Sequence, residues 1–209
     1  MDAIGTFTRR NLPHLYYPQG TYFITYRLHD SLPVGLVKEL TKKYENSTEA
    51  PSIREKRIFK KYDELLDKGC PLEGAINLTS SEIAKLNQRV IHQYDGKDYS
   101  LLCYCIMPNH IHLVFTLLEE NRGISKIMKS IKGISAREYN KMKGTSGIIW
   151  QDESYDRLVR DENELFNVIK YVINNPVKAN FVSNWRMWKW TFVAQNSFCA
   201  AAIAEVETG

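Results

Sequence analysis

Two apolar segments separated by a short turn constrain this chain more than any other feature. Tyr99–Ile106 (YSLLCYCI) and His110–Leu117 (HIHLVFTL) flank Met107-Pro108-Asn109. Both are dense in β-branched and aromatic residues and too short for typical helices, so they predict strands, and a connection this tight makes them an antiparallel hairpin. Thr21–Leu28 (TYFITYRL), after a Pro-Gln-Gly turn signal, predicts another strand. Helical periodicity appears over Leu32–Tyr44, Ile53–Asp67 and Ser80–Tyr94, the last with a Thr79–Glu82 capping box. A basic helix is expected over Gly123–Met142. A further helix is expected to open at Asp161, with Glu164 at the capping-box position, and to run to about Asn174 before Pro176 stops it. Helices interrupting antiparallel strands predict the α+β class, one sheet with helices mainly on one face.

At 209 residues the chain suits a single domain, here read as 1–198, with 199–209 a frayed tail. No apolar run reaches the roughly 18 residues of a membrane span. The first residues show no secretory signal, and four cysteines without a disulfide framework suit a reducing cytoplasm. A net charge of +4 permits a nucleic-acid partner without requiring one.

The hairpin carries candidate chemistry. His110 and His112 stand two apart on one strand, so both imidazoles leave the same face at a spacing that lets them share a metal ion. Two neutral nitrogens hold a metal weakly, so a third ligand must come from elsewhere. Cys103 and Cys105 would complete a Cys₂His₂ zinc site if the turn has two residues, and would face the other way if it has three. A pair of polar residues on a solvated face is the alternative reading.

On the last helix, Tyr171 and Asn175 are four apart on one flank of the apolar stripe Leu165, Val168, Ile169 and Val172, so a phenol and an amide can reach one point. Taken alone, the same pair reads equally as a half-buried tyrosine and a helix-ending asparagine. Within the basic helix, Lys126, Lys129 and Lys132 recur every three residues, with Arg137 beyond them, a pattern that can follow a phosphate backbone or simply face solvent. Trp185-Arg186-Met187-Trp188-Lys189-Trp190 interleaves rings with cations, which suits stacking on unpaired bases as well as core packing.

Four segments together match something known. MPNHIHLVF (107–115) resembles the His-hydrophobic-His motif of single-tyrosine HUH transposases. YVINNPVKANFV (171–182) resembles the catalytic-helix segment of their chromosomal relatives, the REP-associated tyrosine transposases. WQDESYDRLVRDENE (150–164) and RNLPHLYYPQGTYFITYRL (10–28) are similar to that group as well. The resemblance implies a ferredoxin-like (RRM-like) sheet, with the helical stretch of about 45–95 as an insertion. It makes His110, His112 and Asn175 ligands of Mg²⁺ or Mn²⁺ and Tyr171 the nucleophile, in preference to Tyr139 and Tyr155, which lack a ligand four residues on. It implies single-stranded or hairpin DNA of palindromic repeats as partner, cleaved and rejoined through a 5′-phosphotyrosine. Arg9 and Arg10, on an N-terminal arm, join Lys126, Lys129, Lys132, Arg137 and Arg157 as candidate DNA contacts. A bacterial cytoplasmic, nucleoid-associated monomer or homodimer is expected. The competing expectation is a domesticated relative that binds folded DNA or RNA without cutting.

Overall fold

The predicted hairpin forms with a two-residue loop. The Met107 N–H donates to the His110 carbonyl at 2.9 Å, leaving only Pro108 and Asn109 between the paired positions. The computed structural model describes residues 6–9, 13–33, 35–45, 48–69 and 75–208. Among these lie strands β1 (Thr6–Arg9), β2 (Pro13–Tyr16), β3 (Thr21–Arg27), β4 (Tyr99–Ile106), β5 (His110–Leu117), β6 (Tyr155–Val159) and β7 (Thr191–Val193). The helices are α1 (Leu36–Glu45), α2 (Pro51–Lys68), α3 (Ser81–His92), α4 (Ile124–Lys143), α5 (Glu162–Lys178) and α6 (Ser197–Thr208). None of the described helices is long and apolar enough to cross a membrane.

The main sheet has the order β6-β3-β5-β4-β7, with every pairing antiparallel. Read along the chain, β3-α3-β4-β5-α4-β6 is the βαββαβ unit of a ferredoxin-like fold, with β7 added at the β4 edge. The α+β expectation therefore holds. The predicted insertion divides: α3 is one of the two helices of this unit, whereas α1 and α2 lie outside it.

Both faces of the sheet are covered, because the strands carry apolar side chains on both alternations. Tyr22, Ile24, Tyr26, Ile111, Leu113 and Phe115 pack with Ile83, Leu86 and Val90 of α3 and Ile127 and Ile131 of α4. Phe23, Cys103, Cys105 and Val114 face the other way. There they meet Phe59 and Leu66 of α2, Val168, Ile169, Val172 and Ile173 of α5, and Cys199 and Ala202 of α6. The expectation of helices mainly on one face holds for α3 and α4 alone.

Several local expectations change in the tertiary setting. The tail is helical rather than frayed: α6 buries Cys199 and Ala202 completely and is tied by ion pairs from Lys170 to Glu205 (2.6 Å) and from Arg186 to Glu207. Its alanines carry little hydrophobic contrast, which hid the stripe. The Thr79–Glu82 capping box does not form. The Thr79 hydroxyl donates to Asn77 Oδ1 (2.7 Å), and α3 begins at Ser81. The Asp161–Glu164 cap does form, with the Glu164 N–H donating to Asp161 Oδ1 at 2.7 Å. The N-terminal segment is a two-stranded ribbon in which β1 pairs with β2.

Helix α5 continues through Pro176 to Lys178. Pro176 removes one backbone donor, but it is buried with Ile173 and Asn175, so packing outweighs the lost bond. The helix ends in a Schellman motif: the Phe181 N–H donates to the Pro176 carbonyl and the Asn180 N–H to the Val177 carbonyl, both at 2.9 Å. Asn180 supplies the left-handed residue this needs, at φ +59°. Asn180→Val should cost roughly 1–3 kcal/mol in denaturant unfolding, and Asn180→Gly almost nothing. An Asn180→Val protein as stable as the parent would exclude this account.

Candidate metal and tyrosine site

The alternation of β5 turns His110 and His112 toward the α2–α5 side of the sheet, and both are fully buried. Their Nε2 atoms lie 3.1 Å apart. Each ring is held from behind. His112 Nδ1 is 2.8 Å from Thr25 Oγ1, its cross-strand partner, and His110 Nδ1 is 2.7 Å from Asn109 Oδ1. The Asn109 amide nitrogen donates to the carbonyls of Leu66 (2.9 Å) and Gly69 at the end of α2, so its oxygen is left to accept from His110. The His110 Nε2 lone pair therefore points into the site. Gly69 is required for this approach: a Cβ there would stand 3.0 Å from the Ser31 carbonyl and 3.3 Å from the Asn109 amide.

A third buried group arrives from α2. Asp63 is fully buried, and its Oδ1 lies 3.3 Å from His112 Nε2. Asp63, His110 and His112 form one cluster of potential ligand atoms. Lys178 spans the carboxylates of Asp63 and Asp67, with its Nζ 2.9 Å from Asp67 Oδ2 and 5.2 Å from the centre of the Tyr171 ring. Helix α5 thus presents Tyr171, Asn175 and Lys178 at i, i+4 and i+7. The Tyr171 ring stands 5.6 Å from that of His112 and packs edge-on against Phe23 and Phe59. The Tyr171 hydroxyl and both polar atoms of the Asn175 amide are buried without a hydrogen bond.

These surroundings set the protonation states. Burial lowers the His110 imidazole well below its ordinary value, and His112 adds to the effect, so His110 is neutral. Burial alone would raise the Asp63 carboxyl, but His112, His110 and Lys178 outweigh it and hold it well below the usual carboxylate range. Burial, followed by the negative charges of Asp63 and Asp67, pushes the Tyr171 phenol far up. Both the depressed carboxyl and the refused imidazole proton lead to the same sign. At these two groups the unfolded chain binds more protons than the folded one below about pH 6.5, so their contribution to stability falls on acidification, offset in part by the Asp67 carboxyl, which burial raises. Denaturant midpoints at stepped pH should decline from that point, and His110→Gln should flatten the part between about pH 6.5 and 5. An unchanged slope in the variant would remove His110 from the account.

Divalent-metal ligation fits these residues. One proton on His112 Nε2 can serve His110 Nε2 or Asp63 Oδ1 but not both, and the Asn175 oxygen has no donor at all. A cation among the two nitrogens and the carboxylate answers those three atoms. Two ligand atoms at right angles, each about 2.1 Å from an ion, lie about 3.0 Å apart, close to the observed nitrogen separation.

The other predicted residues fall into distinct places. Cys105 lies opposite His112 and, with Cys103, shares its face, as a two-residue turn requires. Neither thiol joins the ligand cluster: Cys105 Sγ contacts Met107 Sδ, and burial raises both thiols, so the Cys₂His₂ arrangement is not assembled. Cys70 lies outside the described residues. Tyr139 packs on the opposite side of the sheet, and Tyr155 lies on the histidine side against Phe59 (4.7 Å) and Tyr62. Lys126, Lys129, Lys132 and Arg137 belong to α4, across the sheet from the histidines. Of these, Lys132 is half-buried, donating to the Asp152 carbonyl at 2.6 Å, and desolvation depresses its ammonium to about 8. Arg157 is on the histidine side, paired with Glu164 (3.3 Å) over the Phe23 ring. The side chain of Arg9 and all of Arg10 lie outside the described residues.

A family model described as "Transposase IS200 like" matches residues 77–175. A putative REP-associated tyrosine transposase of Haemophilus influenzae is 28% identical over 102 residues, covering 44% of this chain and 58% of that protein. The REP-associated tyrosine transposase of Escherichia coli K12 is 21% identical over 114 residues, covering 54% of this chain and 66% of that protein. Over these segments the chain is similar to REP-associated tyrosine transposases. A solved REP-associated tyrosine transposase, bound to a REP hairpin, shares the fold with TM-score 0.53 at 17% identity, over 90% of this chain and 82% of that one. The sequence matches span about three-fifths of those curated transposases' own length. The IS200-like segment takes in His110, His112, Tyr171 and Asn175. Asp63 and Lys178 lie outside it.

Proposed function

We propose that this chain is a divalent-metal-dependent DNA transposase that binds hairpin-forming palindromic repeats and cleaves and rejoins single strands through Tyr171. The observation that carries this is the convergence of the His110–His112 nitrogen pair and the buried Asp63 carboxylate beside the Tyr171 ring. The sequence relatives and the hairpin-bound structural neighbour support the substrate class.

In this reading His110, His112, Asp63 and Asn175 hold Mg²⁺ or Mn²⁺, a set of mixed nitrogen and oxygen donors suited to either ion. When bound there, such an ion would supply charge neutralisation at the scissile phosphate. Thr25 and Asn109 keep both imidazoles turned so that Nε2 faces the site. Lys178 fixes the rotamer of Asp63 through Oδ2, leaving Oδ1 toward the histidines. Tyr171 Oη attacks phosphorus in line as the P–O3′ bond breaks, and the proton lost by the phenol is matched by the one the departing 3′ oxygen takes up, so the products are a 5′-phosphotyrosine and a free 3′-OH. Because the bond energy is retained in the ester, a 3′-OH can reverse the step without ATP. Tyr171 and the histidines belong to one chain, so one copy can assemble the set.

The test is incubation of a labelled single-stranded palindromic hairpin with the protein in Mn²⁺ or EDTA, followed by a denaturing gel. A metal-dependent covalent adduct is expected. Tight hairpin binding with no adduct in any metal would replace this reading by the non-cutting, domesticated one.

A further inference from the structure

We propose that the outward face of Phe181 is a seat for an unpaired nucleobase at the rim of the histidine–tyrosine site. This inference rests on the reading of the chain as a nucleic-acid enzyme and adds a binding element on a different segment.

Phe181 follows the left-handed Asn180, and its N–H is anchored on the Pro176 carbonyl, so the end of α5 sets where the ring goes. On one side the ring stacks on Trp188, with centroids 5.3 Å apart and planes 27° apart. Trp188 is itself fixed, its indole N–H donating to the Ile106 carbonyl at 3.0 Å, one residue before the turn that leads to His110. Although stacked, Phe181 remains 39% exposed, so part of the residue stays open to solvent. Phe181 and His110 line one small cavity with Asn109 and Asp67, which places the ring at the edge of the site.

The chemistry favours a base over a protein partner. A single rigid ring pair is far smaller than the roughly 800 Å² a protein interface buries on each side, but it matches one nucleobase. Stacking on an aromatic ring accepts any base. The same segment provides a cation for a backbone: Lys189 Nζ lies 4.6 Å from the Trp190 ring, and the residue is exposed. Trp190 is buried and serves the core, so only part of the ring-and-cation run is available to substrate. A base seated on Phe181 would continue the Trp188–Phe181 column and hold the strand beside the site.

The test uses hairpin oligonucleotides with and without a short single-stranded thymine flank. Phe181→Leu keeps apolar bulk without a π-face, and Phe181→Trp keeps the π-face. Phe181→Leu should weaken binding of the flanked hairpin about 5- to 100-fold, leave the blunt hairpin unchanged and melt like the parent. Phe181→Trp should restore flanked binding. Replacing the flank nucleotides one at a time with an abasic unit should reveal one position at which parent and Phe181→Leu bind equally. Equal flanked binding by parent and Phe181→Leu, with the parent still forming the tyrosine adduct, overturns the seat and leaves the enzyme reading intact. A parent that binds neither oligonucleotide overturns both.

Discussion

Tyr171→Phe should reduce covalent adduct formation by at least about 10³-fold while hairpin affinity stays within about twofold. The substitution keeps the ring that packs against Phe23, Phe59 and His112 and lies beneath Lys178. It removes only an oxygen that is buried and without a hydrogen bond. Removing such a group is neutral or stabilising, here by up to about 1 kcal/mol. The pair of outcomes is diagnostic: a structural tyrosine whose loss abolished activity would also lower the melting temperature. Adduct formation that survives in Tyr171→Phe would move the nucleophile elsewhere, with Tyr155 the next tyrosine to test.

The second large effect concerns the metal. Mn²⁺ titration followed by calorimetry should show Asp63→Asn weakening affinity roughly 10- to 100-fold, and His112→Ala by at least as much. Asn preserves the volume of Asp63 but removes the charge facing His112 Nε2 and Lys178. The Lys178→Met variant separates positioning from ligation. It leaves the Asp63 and Asp67 carboxylates buried without their shared cation, so the metal-free protein should lose stability that added Mn²⁺ restores. An Asp63→Asn protein that binds Mn²⁺ like the parent would leave His110, His112 and Asn175 as the ligand set and exclude α2 from it.

These predictions draw on residues of very different legibility. The His-x-His pair is visible because strand alternation is a local rule: two residues apart means one face, whatever else the chain does. The same holds for Tyr171 and Asn175 at helical spacing and for the Asp161 cap. Asp63 carried a fainter signal. It sits at the i+4 position from Phe59 in the stripe Phe59, Tyr62, Asp63, Leu66, so it is an acid inside an apolar face, yet in a run such as KKYDELLDK it reads as one more solvated charge. Lys178 was concealed because Pro176 predicts that the helix has already stopped. Only the burial of Ile173, Asn175 and Pro176 carries α5 far enough to bring the ammonium to Asp63.

By itself the sequence determined the hairpin, the α+β class, the two imidazoles on one face and the phenol–amide pair on one helix flank, because each is a short-range periodicity with a fixed geometric consequence. Tertiary structure alone decided that both sheet faces are covered, that the lysines of α4 lie across the sheet from the histidines, and that α6 is ordered against α5. It also decided that α2 delivers a carboxylate to the site. Those outcomes depend on which elements meet in space, and the encounter of Asp63 with His112, 49 positions away, leaves no local trace in the chain.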